Sequence, residues 1–207
     1  MLTRLLLTTG LLGTLLPATS FAQTASAPAR FYAGVGANLL SDFPFTDRGI
    51  VPRTLGPALT AGWSFTPRLA LQVGGSYHTQ KKAYGDLIPG LGTIPTVRTN
   101  HFLVPALLRY TLTAPASLVH VDVLGGGTLV HATSRTTYSV SSPLYSESRL
   151  SDTRFNLTLG PAVRAAVAPH LDLTVTGVAS VVVGENYPTF RDRLFLNTSL
   201  GLNYRFD

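Results

Sequence analysis

Period-2 alternation of apolar and polar residues places successive side chains on opposite faces of a strand, and from residue 31 onward the chain shows it in eight segments. The first, residues 31 to 40, sets Phe31, Ala33, Val35, Ala37 and Leu39 against Gly34, Gly36 and Asn38. The second alternates Leu55, Pro57, Leu59, Ala61, Trp63 and Phe65 with Gly56, Ala58, Thr60, Gly62 and Ser64. The third opposes Leu69, Leu71, Val73 and Tyr77 to Gln72, Gly74, Ser76, His78 and Gln80. The fourth, Phe102 to Leu112, is less clean: Val104, Ala106, Leu108, Tyr110 and Leu112 face away from Leu103, Pro105, Leu107, Arg109 and Thr111. The fifth sets Val119, Val121 and Val123 against His120, Asp122 and Leu124, then runs through Gly125-Gly126-Gly127 into a polar stretch ending near Tyr138. The sixth opposes Phe155, Leu157, Leu159, Val163, Ala165 and Val167 to Arg154, Asn156, Thr158, Gly160 and Arg164. In the seventh, Leu171, Leu173, Val175 and Val181 alternate with Asp172, Thr174, Thr176 and Ser180. The eighth is the cleanest, with Leu194, Leu196, Leu200, Leu202, Tyr204 and Phe206 against Asn197, Ser199, Gly201, Asn203 and Arg205.

The connections alternate as well. Thr66-Pro67-Arg68, Thr113 to Ala116 and Ala168-Pro169-His170 are tight turns, whereas 41 to 54, 84 to 97, 139 to 149 and 184 to 192 are long. An outer-membrane barrel has this rhythm, because periplasmic hairpins are minimal and surface loops are elaborated; both termini then lie in the periplasm. Beyond the N-terminal leader the apolar runs are short and interrupted, so a membrane could be crossed only by strands, and in lipid only a closed barrel satisfies every strand's backbone. Charged residues make up 13% of the chain, about half of what a soluble domain carries. Several of them, Arg109, Asp122, Arg164, Asp172 and Arg205, share the face that carries glycine and serine. The pattern therefore predicts an all-β, eight-stranded antiparallel up-and-down transmembrane barrel, greasy outside, with small and polar residues filling a thin lumen. A soluble barrel of the lipocalin kind is the competing architecture.

Two details refine the prediction. Phe31, Trp63, Phe65, Tyr110, Tyr204 and Phe206 fall near the periplasmic strand ends, where an aromatic girdle would lie. Pro57, Pro105 and Pro161 stand inside strands, where each removes a ladder donor, so bulges or distorted ends are expected.

Residues 1 to 22 have Arg4, an apolar run from Leu5 to Leu16 and the ending Ser20-Phe21-Ala22. These mark a secretory signal peptide cut after Ala22, its apolar run too short for a spanning helix. Residues 23 to 29 would be a short periplasmic linker and 30 to 207 the barrel. The chain has no cysteine, which excludes a lipoprotein anchor, disulfides and thiolate metal sites. The net charge of +6 would suit nucleic acid, but no basic run or basic helix exists and the exported address argues against that partner. The cations instead collect by end: Arg48, Arg53, Lys81, Lys82, Arg98, Arg135, Arg149, Arg191 and Arg193 all map to the long-loop side. There they would meet lipopolysaccharide phosphates, or simply solvate the loops.

The stretch Phe102-Leu103-Val104-Pro105-Ala106-Leu107-Leu108-Arg109-Tyr110 resembles the aromatic-Leu-x-Ile-Pro-Leu-Leu-Leu-Lys-Tyr segment of the PorT-like "outer membrane protein beta-barrel domain" family of Bacteroidetes. The ending Leu200-Gly201-Leu202-Asn203-Tyr204-Arg205-Phe206 is similar to that family's terminal strand and to the aromatic-ended signal read by the barrel assembly machinery. Leu103 stands where the family commonly has Glu, and Asp207 follows the final aromatic. The resemblance implies a monomeric eight-stranded barrel in the outer membrane of a Gram-negative cell, with no common chemistry.

Candidate chemistry is sparse. Arg164 and Asp172 flank the Pro169 turn on one face, and Arg109 and Asp122 stand similarly across the preceding short turn, so both are expected as cross-strand ion pairs. Such pairs would plug the lumen or, less in keeping with so narrow a barrel, gate a small-solute path. Ser76 and His78 share a face and could form a nucleophile and base, as in a lipid-modifying enzyme, but no carboxylate is at hand to complete a triad. His101, His120, His131 and His170 show no metal-ligand spacing. Gly125-Gly126-Gly127 lacks the residues of a phosphate loop and fits close backbone packing. Neither catalytic residue nor cofactor is expected.

Overall fold

The computed structural model describes residues 31–42, 53–83, 94–139, 146–184 and 193–206. The segments 1 to 30 and 43 to 52, and with them the leader, the linker and Arg48, lie outside the described residues, as does Arg191.

Eight strands form in chain order: β1 (Phe31–Asp42), β2 (Arg53–Ser64), β3 (Leu69–Ala83), β4 (Ile94–Thr111), β5 (Val119–Ser139), β6 (Ser146–Ala168), β7 (Leu171–Val182) and β8 (Leu194–Phe206). Each pairs antiparallel with its chain neighbour, and β1 pairs with β8 from Phe31↔Phe206 to Asp42↔Phe195, which closes the barrel. Closure leaves no unpaired sheet edge, the condition for strands in hydrocarbon. Both described chain ends therefore lie with the three tight turns. At the first of these, Thr66 Oγ1 accepts the Leu69 amide at 2.9 Å, and Phe65 N–H donates to Leu69 O at 2.9 Å.

The barrel is inside-out. Along β2 the outward residues Leu55, Leu59 and Trp63 are 71%, 64% and 47% exposed, while polar Asn38, His78, Asp122, Asn156 and Ser180 are buried. In water such a surface would be one continuous oily patch; in lipid it is the correct outer face, and the chain is a membrane-spanning barrel. The near-periplasmic girdle forms as the pattern predicts: Phe31 stacks on Trp63 at 5.3 Å, Trp63 meets Phe65 at 5.8 Å, and Tyr204 meets Phe206 edge-on at 5.1 Å. A second set, Tyr77, Phe102 and Phe155, is exposed toward the other end. From Tyr110 to Phe102, at about 3.3 Å per residue and a tilt near 40°, the belt rises about 20 Å, close to the ~25 Å apolar band of such barrels.

Three expectations are corrected. Of the bulges or distorted ends expected at the prolines, no bulge forms, but at Pro57 the β2–β3 ladder does end, its last pair being Ala58↔Ser76; Pro57, Pro105 and Pro161 keep their partners Ala37, Thr128 and Val123 on one side. On the other side pairing simply lapses, between Val73↔Ala106 and Ser76↔Leu103 and between Leu159↔Ala179 and Ala162↔Thr176, with the register unchanged. A strand residue's N–H points toward one neighbour only, so proline weakens one ladder and leaves the other whole. Beside Pro105 the lost contact is filled by its ring, which a Cβ on Gly74 would meet at 3.2 Å. The register shift occurs instead at Ala166/Ala168, against the last tight turn.

Second, strand continues into segments expected as loops. β4 begins at Ile94 and β6 at Ser146, so β4, β5 and β6 run 18, 21 and 23 residues, against 12, 12, 12 and 13 for β1, β2, β7 and β8. The β4–β6 wall stands well above the rest. Third, the lumen is not uniformly polar: Leu107, Leu124, Ala162 and Val178 pack together as a buried apolar cluster inside it.

Candidate functional site

Along the inward face of β5 the lumen reads as layers: His120 and Asp122, then Leu124 and Gly126, then Thr128, then Val130 at the mouth. The lowest layer is ionic. Asp122, fully buried, receives Arg164 Nε at 2.6 Å and Nη2 at 3.2 Å, and the Thr111 hydroxyl at 2.6 Å. The fork of Arg164 thus grips one carboxylate across β5 and β6, the strong bidentate geometry. Its Nη1 also approaches Asp172 at 3.8 Å, and Arg205 Nε reaches the same Asp172 oxygen at 3.5 Å. Arg205 Nη2 donates to the Pro169 carbonyl at 2.7 Å, tying the last strand to the last turn.

The pairing differs from the sequence expectation in two respects: Arg164 stands opposite Thr174 and Asp172 opposite Ala166, so their 3.8 Å contact is not between directly facing residues, and Arg109 does not meet Asp122. Asp122 faces Thr111 in the β4–β5 register, whereas Arg109 faces Leu124. Arg109 instead crosses the lumen and lies 4.6 Å over the Tyr32 ring of β1, while Tyr32 Oη donates to Gln72 Oε1 at 3.1 Å. Three arginines therefore meet two aspartates here, and the aromatic face takes the third cation in an environment where a desolvated cation–π contact is strong. Tyr32 fits because Gly62 opposite has no side chain; a Cβ there would overlap the ring.

Above this layer comes the apolar cluster, and above it a chain of hydroxyls: Thr128 to Thr158 at 2.7 Å and Thr158 to Ser180 at 2.8 Å, across β5, β6 and β7. Thr176 and Ser199 bond across β7 and β8, and Asn203 Nδ2 donates to Thr174 at 2.7 Å. These bonds and the apolar cluster tie the inward faces of β4 to β8 together within the lumen. The sequence signal for the apolar layer was present as Leu107 and Leu124, leucines that spoil the alternation by falling on the polar face.

At the open end a pocket of about 340 Å³ has a floor of Leu40, Leu103, Val130 and Val182 and a rim that includes Arg154 and Arg193. Asp152 and Arg154 pair there at 2.5 Å. Asn156, wholly buried at its base, donates from Nδ2 to Thr128 O at 3.4 Å.

Ser76 and His78 do meet. His78 Nδ1–H donates to the Thr54 carbonyl at 3.0 Å, which leaves Nε2 to accept from Ser76 Oγ at 3.2 Å. Both are buried and neither borders the mouth pocket. Among the described residues no three His, Asp or Glu side chains converge as metal ligands. The glycine triplet serves packing: a Cβ at Gly126 would strike the Ala106 carbonyl oxygen of β4, and the Phe155 ring covers Gly127 from outside.

Of the cations expected on the long-loop side, the structure describes all but Arg48 and Arg191. Lys81, Lys82, Arg98, Arg135 and Arg149 are strand residues of the tall wall, all exposed, while Arg193 is half-buried at the mouth pocket.

No protein-family model and no curated protein matches the chain. Solved structures do match in fold. The major outer membrane protein of Thermus thermophilus is 16% identical over 86% of this chain and 98% of its own, with a TM-score of 0.56. Ail of Yersinia pestis, solved with the heparin analogue sucrose octasulfate, is 12% identical over 86% of this chain and 99% of its own, with a TM-score of 0.54. OprG of Pseudomonas aeruginosa is 12% identical over 86% and 96%, with a TM-score of 0.50. At such identities the likeness is one of fold: this chain has the architecture of small outer-membrane barrels.

Proposed function

We propose that the protein is an integral outer-membrane barrel of a Gram-negative cell, a membrane-held scaffold that presents its long-loop end to partners, neither catalysing nor conducting. One observation carries this reading: an outward apolar belt surrounds a lumen filled by ions, leucines and hydroxyls in successive layers. Such a body suits anchorage and display. A leader cut after Ala22 would export it, and β8, ending Tyr204-Arg205-Phe206, would present it to the assembly machinery. The stretches Phe102–Tyr110 and Leu200–Phe206 support membership of the PorT-like family.

Expressed from its own leader in a Gram-negative host, the protein should fractionate with the outer membrane and migrate faster unheated than boiled. Recovery in the soluble fraction without detergent overturns the reading. Two further measurements separate the alternatives. Ser76→Ala should leave the lipid A mass profile unchanged, since a changed profile would make the buried Ser76–His78 pair catalytic. The wild-type barrel should give no steps of conductance in planar bilayers.

A further inference from the structure

The register of the tall wall assembles what the chain scatters. Lys81 pairs with Arg98, Arg98 with Arg135, and Arg135 with Arg149, so four cations from β3, β4, β5 and β6 occupy one continuous rung. All four are exposed and all have the parity of the outward, lipid-facing residues of their strands. At about 4.8 Å between strands the row is some 15 Å wide.

The rungs beneath it form a depth scale. Phe155 and Leu129 share one, then comes Tyr77–Phe102–His131–Thr153, then Thr79–Asn100–Thr133–Ser151, in which Thr79 Oγ1 donates to Asn100 at 2.8 Å, and then the cations. Outward residues thus pass from apolar to aromatic, to neutral polar, to cationic. Four residues separate Tyr77 from Lys81, about 10 Å of height at the usual strand rise and tilt. The row therefore lies just beyond the aromatic girdle, at the level of outer-leaflet headgroups, and it faces sideways, toward the membrane's own lipid.

Like charges directly opposite one another weaken a strand pair, and here three successive pairs are alike. A partner bringing several phosphates relieves that repulsion, and three of the four residues are arginines, whose planar fork matches phosphate oxygens.

We propose that Lys81, Arg98, Arg135 and Arg149 form a one-sided docking face for the phosphates of lipopolysaccharide, held by the wall of β3 to β6. This rests on the outer-membrane reading above and narrows it from a collar of cations to one rung. The test uses the full barrel, refolded in neutral-lipid vesicles with its heat-modifiable mobility checked in every sample, titrated with labelled lipopolysaccharide. Arg98→Gln with Arg135→Gln should weaken binding about tenfold or more. The control pair Arg68→Gln with Lys82→Gln removes the same charge elsewhere and should shift binding less than about threefold. Dephosphorylated lipopolysaccharide should bind the wild type about as weakly as intact lipid binds the first variant, and neither millimolar inorganic phosphate nor phosphatidylglycerol vesicles should compete. Equal losses for the two variant pairs, equal binding of dephosphorylated lipid, or competition by either probe each overturn the proposal. A barrel that fails to insert would instead overturn the outer-membrane reading.

Discussion

At the short-turn end of the lumen Asp122 is fully buried and accepts three hydrogen bonds, two from Arg164 and one from Thr111. At the long-loop end Asn156 is equally buried, yet among the described residues its side-chain bond, to Thr128 O, is a long 3.4 Å. The same barrel thus ties one mouth with a buried ionic network, whereas at the other the buried amide is weakly bonded and the Asp152–Arg154 pair is partly exposed. The contrast follows from what each end must do. Near the tight turns the strands have no loops to cover them and both chain ends must be held, so side chains from β4, β5, β6, β7 and β8 are tied together across the lumen. Near the long loops the interior is a floor on which other groups can rest.

The largest test of this contrast is Asp122→Ala, which leaves Arg164 without its bidentate partner. Loss of one member of a buried pair costs about 3–5 kcal/mol, and reversible urea unfolding in vesicles should show it; a loss below ~1 kcal/mol would erase the distinction between the two ends. Next is Leu124→Ala, directly above Asp122, where truncating a buried leucine costs about 2–4 kcal/mol. The same unfolding measurement should place it below Asp122→Ala and well above any mouth variant. Gly62→Ala comes third. Its methyl overlaps Tyr32 and, through that ring, disturbs Arg109, so about 1–3 kcal/mol of overpacking is expected, with a change in tyrosine emission as the ring is displaced. Smallest is Asn156→Leu at the pocket floor, where an apolar side chain replaces a weakly bonded amide; stability should move by no more than ~1 kcal/mol in either direction. A large loss there would mean that the upper end is as tightly specified as the lower.

Much of the fold was legible because a membrane barrel writes its two faces directly into alternate residues. The run from Leu194 to Phe206 needs only its own spacing to be recognised, and the three tight turns fix the direction of every strand. What local spacing could not supply was register. Arg164 and Asp172 flank one turn, but the ladder sets Arg164 opposite Thr174, and the shift at Ala166/Ala168 moves the turn itself. Arg164 therefore gives its Nε and Nη2 to Asp122 and meets Asp172 only through Nη1, at 3.8 Å. The Tyr32–Arg109 contact was invisible for a different reason: β1 and β4 are not neighbours in the sheet, and only closure brings them across the lumen. Leu107 and Leu124 were visible as blemishes in the alternation, and their meaning appeared once they were seen to meet. The cationic rung likewise needed three registers in succession, since Lys81 and Arg149 lie far apart along the chain.

The unequal strand lengths give the molecule a front and a back within the plane of the membrane. On the side of β7, β8, β1 and β2, the strands have 12 or 13 residues and end low. On the side of β4 to β6 stands a hydrogen-bonded palisade of 18 to 23 residues per strand. The described barrel wall therefore has a stepped rim, high on one side and low on the other.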